Sequence, residues 1–112
     1  MTCVFCKIIS SDIPATKEYE DSDLIAIQDI HPKAPVHLLI ISKEHIPSLN
    51  EMTEASQPLL GKMIWQASRL AADKGIDGKG YKVVINCGPE GGQTVPHLHL
   101  HLIGGKNVAG IL

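Results

Sequence analysis

The sequence predicts an α+β domain: a five-stranded antiparallel sheet with one main helix on a face. Three stretches carry that expectation. Residues 97–103 alternate histidine with leucine, His97-Leu98-His99-Leu100-His101-Leu102-Ile103, the period of two that marks a strand with one apolar face. Leu59, Leu60, Met63, Ile64, Ala67, Leu70 and Ala71 recur at threes and fours, the stripe of a helix over about 57–74. His37-Leu38-Leu39-Ile40-Ile41 is a nearly continuous apolar run, the pattern of a central strand covered on both sides.

The remaining elements fall between these. Ala15 to Tyr19 and Leu24 to Ile27 are strand-like runs split by Glu20-Asp21-Ser22-Asp23, four turn-forming residues, and so predict a hairpin. Asp29 to Pro35 is a loop that two prolines keep extended. Thr53 is placed to cap a turn before the helix, Pro58 suits its first turn and Gly75 its C-terminal end. Tyr81 to Asn86 predicts another strand, and Cys87 to Thr94 a glycine-rich turn into the histidine strand. The 112 residues are expected to form a single domain, residues 1–112, with no repeat or linker.

Composition excludes several classes of function. The formal charge is −2, lysine and arginine do not cluster, and Phe, Tyr and Trp total four, so nucleic acid is not an expected partner. No apolar stretch is long enough to cross a bilayer, and the N-terminus does not read as a signal peptide. With three cysteines, an odd number, reduced thiols in a cytoplasmic setting are expected.

On a strand, His97, His99 and His101 project to one side about 6.6 Å apart, with leucines behind them. Threonine, lysine or glutamate would serve a merely solvated face equally well, and a metal held by all three imidazoles is the other reading. Glycines at 88, 91 and 92 let backbone amides approach an anion, and Thr94 adds a hydroxyl, although glycine also suits a plain hairpin turn. A phosphate beside neutral imidazoles points to nucleophilic catalysis at phosphorus. His99, flanked by two others, is the nucleophile, and His101 donates to the phosphate oxygens. Cys3-x-x-Cys6 has three readings: half of a zinc site, a redox pair lacking the strand that normally precedes one, or two unrelated thiols.

The run from His97 to Ile103 resembles the His-φ-His-φ-His-φ-φ signature of the histidine-triad (HIT) superfamily. Asp29-Ile-His-Pro-Lys-Ala-Pro-Val-His37, Val84-Ile-Asn86 and Gly91-Gly-Gln-Thr94 resemble its other motifs, in the same order, from about Cys3 to Gly105. The branch it resembles most is the histidine-triad nucleotide-binding proteins, which are purine nucleoside phosphoramidases. The resemblance implies a homodimer with a ten-stranded sheet and an AMP-like purine nucleotide ligand, cleaved through a nucleotidyl-histidine intermediate. It places the nucleophile at His99, with His101, His37 and Thr94 assisting. Asp29 falls at the ribose, Ile30 at the base, and Asn86, Gly92, Gln93 and Thr94 at the phosphate and ribose. It also implies a structural zinc on Cys3, Cys6, His45 and His97, with no catalytic metal or organic cofactor. A nucleotide-binding scaffold with incidental activity and a dinucleoside polyphosphate hydrolase are the alternatives. The tail Lys106 to Leu112 lacks the tryptophan of animal members, where the tail shapes the pocket for the leaving group.

Overall fold

Residues 3–111 are described by the structure, a computed structural model. The elements are α1 (Val4–Ile9), β1 (Lys17–Glu20), β2 (Leu24–Gln28), β3 (Val36–Ser42), α2 (Gln57–Asp73), β4 (Tyr81–Val84) and β5 (His99–Gly104). The strands form one antiparallel sheet in the order β1-β2-β3-β5-β4, so the apolar run of β3 is central as its sequence requires.

Alternation sorts the strands into two faces. Leu24, Ala26, Leu38, Ile40, Leu100 and Leu102 point at α2, where Met63, Ala67, Leu70 and Ala71 close the main core. Ile25, Ile27, Leu39 and Ile41 point the other way and pack under Phe5 and Ile8 of α1. Pro58 lies in the first turn of α2, and Gly75 (φ +72°) closes its last turn by donating to the Ala72 carbonyl at 3.0 Å. Thr53 caps the turn before it, its amide donating to Ser56 Oγ at 3.2 Å.

Several boundaries differ from the sequence expectation. The first strand begins at Lys17, and the fourth ends at Val84, leaving Ile85 and Asn86 in the loop. Strand β5 begins at His99, so His97 lies outside the ladder: its amide closes a tight turn onto the Val95 carbonyl (2.8 Å), and the Leu98 amide bonds to Ile46. Helix α1 was not expected. Six residues are too few for periodicity to show, and Cys3 caps the helix by accepting the Cys6 amide on its sulfur.

Candidate active site and metal centre

His99, His101 and His37 share the face of the sheet opposite α2, because Ile41 pairs with His99, Leu39 with His101 and His37 with Ile103. His99 is 7% exposed, and the edge of the Phe5 ring packs against it at 4.9 Å. Its Nδ1 lies 2.6 Å from the His97 carbonyl, an acceptor only, so Nδ1 carries the proton and donates. The lone pair therefore sits on Nε2. Burial holds this imidazole below its ordinary pKa, only partly offset by the bond to His97, so the ring is neutral at pH 7.

A second chain of bonds orders His37 and His101. The Lys33 amide donates to His37 Nδ1 at 3.0 Å, which leaves the His37 proton on Nε2. That proton is donated to His101 Nδ1 at 2.9 Å, so His101 keeps its own proton on Nε2. Asp29 Oδ2 stands 3.3 Å from His37 Nε2. Burial lowers the His37 pKa against the opposing pull of Asp29, and burial with His99 and His37 close by lowers that of His101 to about 4.

These depressions set a pH dependence for folding. Imidazoles in the unfolded chain titrate at about 6.5, and below that the unfolded state binds protons that folded His101 refuses until about pH 4. The stabilisation is thus complete above about pH 6.5 and is lost as pH falls toward 4. Urea midpoints at pH 7.5, 6 and 5 are expected to decrease in that order, whereas a flat series would contradict the neutral assignment.

His97 departs from its expected place in a row of three. Its side chain is fully buried and turns toward the N-terminus, with Nδ1 3.2 Å from Cys3 Sγ, 3.6 Å from Cys6 Sγ and 3.0 Å from His45 Nδ1. His45 Nδ1 is 3.3 Å from Cys6 Sγ. Zinc–sulfur bonds of about 2.3 Å and zinc–nitrogen bonds of about 2.0–2.1 Å at tetrahedral angles separate S from N by about 3.5 Å and N from N by about 3.4 Å. The four donors thus stand close to the spacing that zinc imposes. The tautomer fits as well: His97 Nε2–H donates to the Ser42 carbonyl at 2.6 Å, leaving the Nδ1 lone pair aimed at the cluster.

Asp29, His37 and His101 also bring three donor atoms together, but there the tautomer opposes a metal. His37 Nδ1 is committed as an acceptor from Lys33, so Nε2 bears hydrogen where a ligand needs a lone pair. The triad does not act as one metal site: His97 joins the cysteines, and His99 and His101 do not.

The glycine loop is corrected in its detail. The amides of Gly91 and Gly92 donate to the Gly88 and Pro89 carbonyls, that of Gln93 to Gly88, and that of Gly88 to Gln93 Oε1 at 2.9 Å. A cradle of free glycine amides is therefore not what these residues make. Positive φ at Gly88 and Gly92 closes a tight turn over Pro89–Gly91 and consumes the donors. Gln93 braces it, with Nε2 donating to Pro47 and Val95, and Asn86 Nδ2 donates to the Gly91 carbonyl at 2.8 Å. Thr94 lines a cleft of about 400 Å³ shared with Cys3, His45, Pro47 and Val95. Ile30 is 84% exposed on the loop after β2. Sequence reasoning missed Phe5, the Lys33 amide and the Ser42 carbonyl; backbone groups leave no residue-type signal.

Comparisons with known proteins agree with this arrangement. The family model described as "Scavenger mRNA decapping enzyme C-term binding" matches residues 2–111. An uncharacterized HIT-like protein of Synechococcus elongatus is 48% identical over 106 residues, covering 95% of this chain and 92% of that one. A 14 kDa zinc-binding protein of Brassica juncea is 42% identical over 107 residues, with 94% of each covered. Among solved structures, a HIT family hydrolase from Legionella pneumophila superposes with TM-score 0.95 at 43% identity, over 98% of each chain. A zinc-bound histidine triad family protein from Mycobacterium smegmatis superposes with TM-score 0.83 at 33% identity, over 100% of this chain and 81% of that one. The motif order, the sheet topology and these likenesses together make the chain a member of the histidine-triad (HIT) family.

Proposed function

We propose that the protein is a hydrolase of purine nucleoside phosphoramidates, cleaving AMP–amine bonds through a nucleotidyl intermediate on His99. The observation that carries this reading is the 2.6 Å bond from His99 Nδ1 to the His97 carbonyl, which makes Nε2 a neutral nucleophile with a fixed aim. Nε2 attacks the α-phosphorus as the phosphorus–nitrogen bond to the amine breaks, and the amine leaves with a proton taken from solvent. The positive ring formed on His99 is stabilised by the same carbonyl. Water then attacks phosphorus and gives up a proton to solvent, and Nε2 is released with its lone pair. His101 Nε2–H and the Thr94 hydroxyl meet the charge on the phosphate oxygens, and His37 holds His101 in the donating tautomer. Asp29 takes the ribose hydroxyls and Ile30 the purine face. Asn86, Gly92 and Gln93 keep the loop closed around the phosphate. The test is turnover of adenosine 5′-phosphoramidate by the parent and by His99→Ala, with protein quenched in alkaline denaturant and weighed for a nucleotidyl adduct.

Zinc on Cys3, Cys6, His45 and His97 is part of the same reading. With four protein donors it has no open position, so the chemistry it supplies is structural.

The working unit is a homodimer. Strand β4 is a sheet edge, and Tyr81 and Val83 on it are exposed together with Ile64 and Trp65 on α2, the last 62% exposed. Apolar groups at an unpaired edge beside an exposed helix flank suit pairing of two β4 strands into a ten-stranded sheet. Val83→Lys with Trp65→Glu is expected to halve the mass measured by sedimentation; a parent that sediments as a monomer would overturn the assignment.

A further inference from the structure

The chain beyond β5 returns over the face of the sheet that carries the histidines. Lys82 of β4 and His37 of β3 both pair with Ile103 of β5, so Lys82, Ile103 and His37 form one row on that face. Gly105 takes φ +92°, and a Cβ there would stand 3.0 Å from Pro35 Cβ, so the chain turns tightly against the loop before β3. Val108 then buries itself against Ala34 and Ile103, with Ile111 packed on the same cluster. The Lys82 ammonium donates to the Ala109 carbonyl at 3.1 Å and to that of Ile111 at 2.6 Å. Among the described residues, these are the only hydrogen bonds that tie 106–111 to the rest of the chain.

What the tail covers is next to Lys33, whose amide donates to His37 Nδ1 at 3.0 Å. His37 Nε2 in turn lies 2.9 Å from His101 Nδ1. Two imidazoles joined nitrogen to nitrogen can carry their protons in either sense. In one, His37 donates to His101, which offers Nε2–H outward; in the other, each donor and acceptor is exchanged and His101 offers a lone pair. An amide N–H aimed at His37 Nδ1 forbids the second, because two donors would meet there. Asp29 Oδ2, 3.3 Å from His37 Nε2, favours hydrogen on the same nitrogen.

We propose that Lys82 is a positioning residue for the catalytic histidines: by strapping the tail over Ala34 it holds the Lys33 amide on His37 and so sets the sense of the His37–His101 pair. Pro32 and Pro35 fix φ on either side of Lys33-Ala34, so a displacement of Ala34 passes to the Lys33 amide instead of being absorbed within the loop. With the strap released, part of the population reverses, and His101 then meets the phosphate oxygens with a lone pair instead of a proton. The effect on the tautomers rests on this geometry alone; the effect on turnover rests on the functional reading above. Lys82 touches neither substrate nor reacting atoms in that reading, so its loss acts on kcat and spares KM.

The experiment reads the imidazole nitrogen NMR signals of His37 and His101, and turnover of adenosine 5′-phosphoramidate, in the parent, Lys82→Met, Lys82→Arg and Val108→Ala. Methionine keeps the stem without the donors, arginine keeps donors for both carbonyls, and alanine loosens the tail from its other side. In the parent, Nδ1 of both rings is expected to be bare and Nε2 of both protonated. In Lys82→Met and Val108→Ala the four signals are expected to move toward the exchanged assignment. In both, kcat is expected to fall about fivefold, the size of one hydrogen bond, with KM within about twofold of the parent. Lys82→Arg is expected to recover the parental spectrum and rate. Lys82→Met combined with Val108→Ala is expected to shift the signals no further than either change alone, since both cut the same strap. Parental signals in both Lys82→Met and Val108→Ala, or a shift in Lys82→Arg as large as that in Lys82→Met, overturn the strap. Shifted signals with a parental kcat overturn its link to turnover. If His99→Ala turns over at the parental rate, the functional reading falls, and the nitrogen signals still decide the strap.

Discussion

Replacing His99 by alanine is expected to lower kcat/KM for adenosine 5′-phosphoramidate by at least about 10³-fold, because the covalent route then has no nucleophile. The ring removed is buried against Phe5, so the melting temperature falls as well, and the folded fraction at 25 °C must be checked by circular dichroism. His99→Gln, which fills more of the same space without an imidazole, is expected to be equally inactive and better folded. Free imidazole added to the alanine variant is expected to recover part of the rate, a readout that a packing defect would not give. In the parent, an acid-labile nucleotidyl adduct accumulates under quench; in either variant it is absent. Turnover of His99→Ala at the parental rate would remove the mechanism while leaving the fold intact. His101→Ala is the milder case, expected to cost about 10²–10³-fold in kcat, the loss of one donor to the developing charge.

How much of this was legible follows from which residues carry period and which do not. The leucines of β5, the stripe of α2 and the apolar run of β3 each repeat often enough to fix element type, and the run of β3 marks it as the central strand, while the order of the others comes from the structure. Helix α1 has six residues and no period, so Cys3-x-x-Cys6 read as chemistry before it read as a helix cap. The alternation that identified the histidine strand also extended it by two residues too many. His97 keeps the spacing, but a turn at Val95 and the bond from Leu98 to Ile46 take it out of the sheet and toward the cysteines. The glycine loop shows the same limit: glycine marks a chain that turns, and only coordinates show that its amides are satisfied within the turn. The tautomers were beyond reach, since each depends on a main-chain partner, Lys33, Ser42 or His97, that residue type does not reveal.

Removal of zinc is expected to weaken both the fold and the nucleophile, and the reason lies in His97. Its ring reaches the cluster through Nδ1, its Nε2–H holds the Ser42 carbonyl at the end of β3, and its own carbonyl fixes the proton of His99. Four donors within 4.8 Å of one another gain their stability from an ion that satisfies all of them; without it, lone pairs face one another and the thiols must protonate. Zinc at about 1,000 times its dissociation constant stabilises by about 4 kcal/mol, roughly 15 °C in melting temperature for a chain of this size. Protein purified without chelator is expected to carry one zinc per chain by elemental analysis. Chelation is expected to lower its melting temperature by that order. Cys6→Ser, with three donors left, is expected to melt near the chelated parent and to ignore further chelator. Turnover is expected to fall in the same samples, because a loosened His97 no longer holds the His99 Nδ1 proton, and adding zinc back restores the parent but not the variant. A zinc-free parent whose melting is indifferent to chelator would show that hydrogen bonds and packing alone hold His97, and the nucleophile's aim would then belong to the sheet.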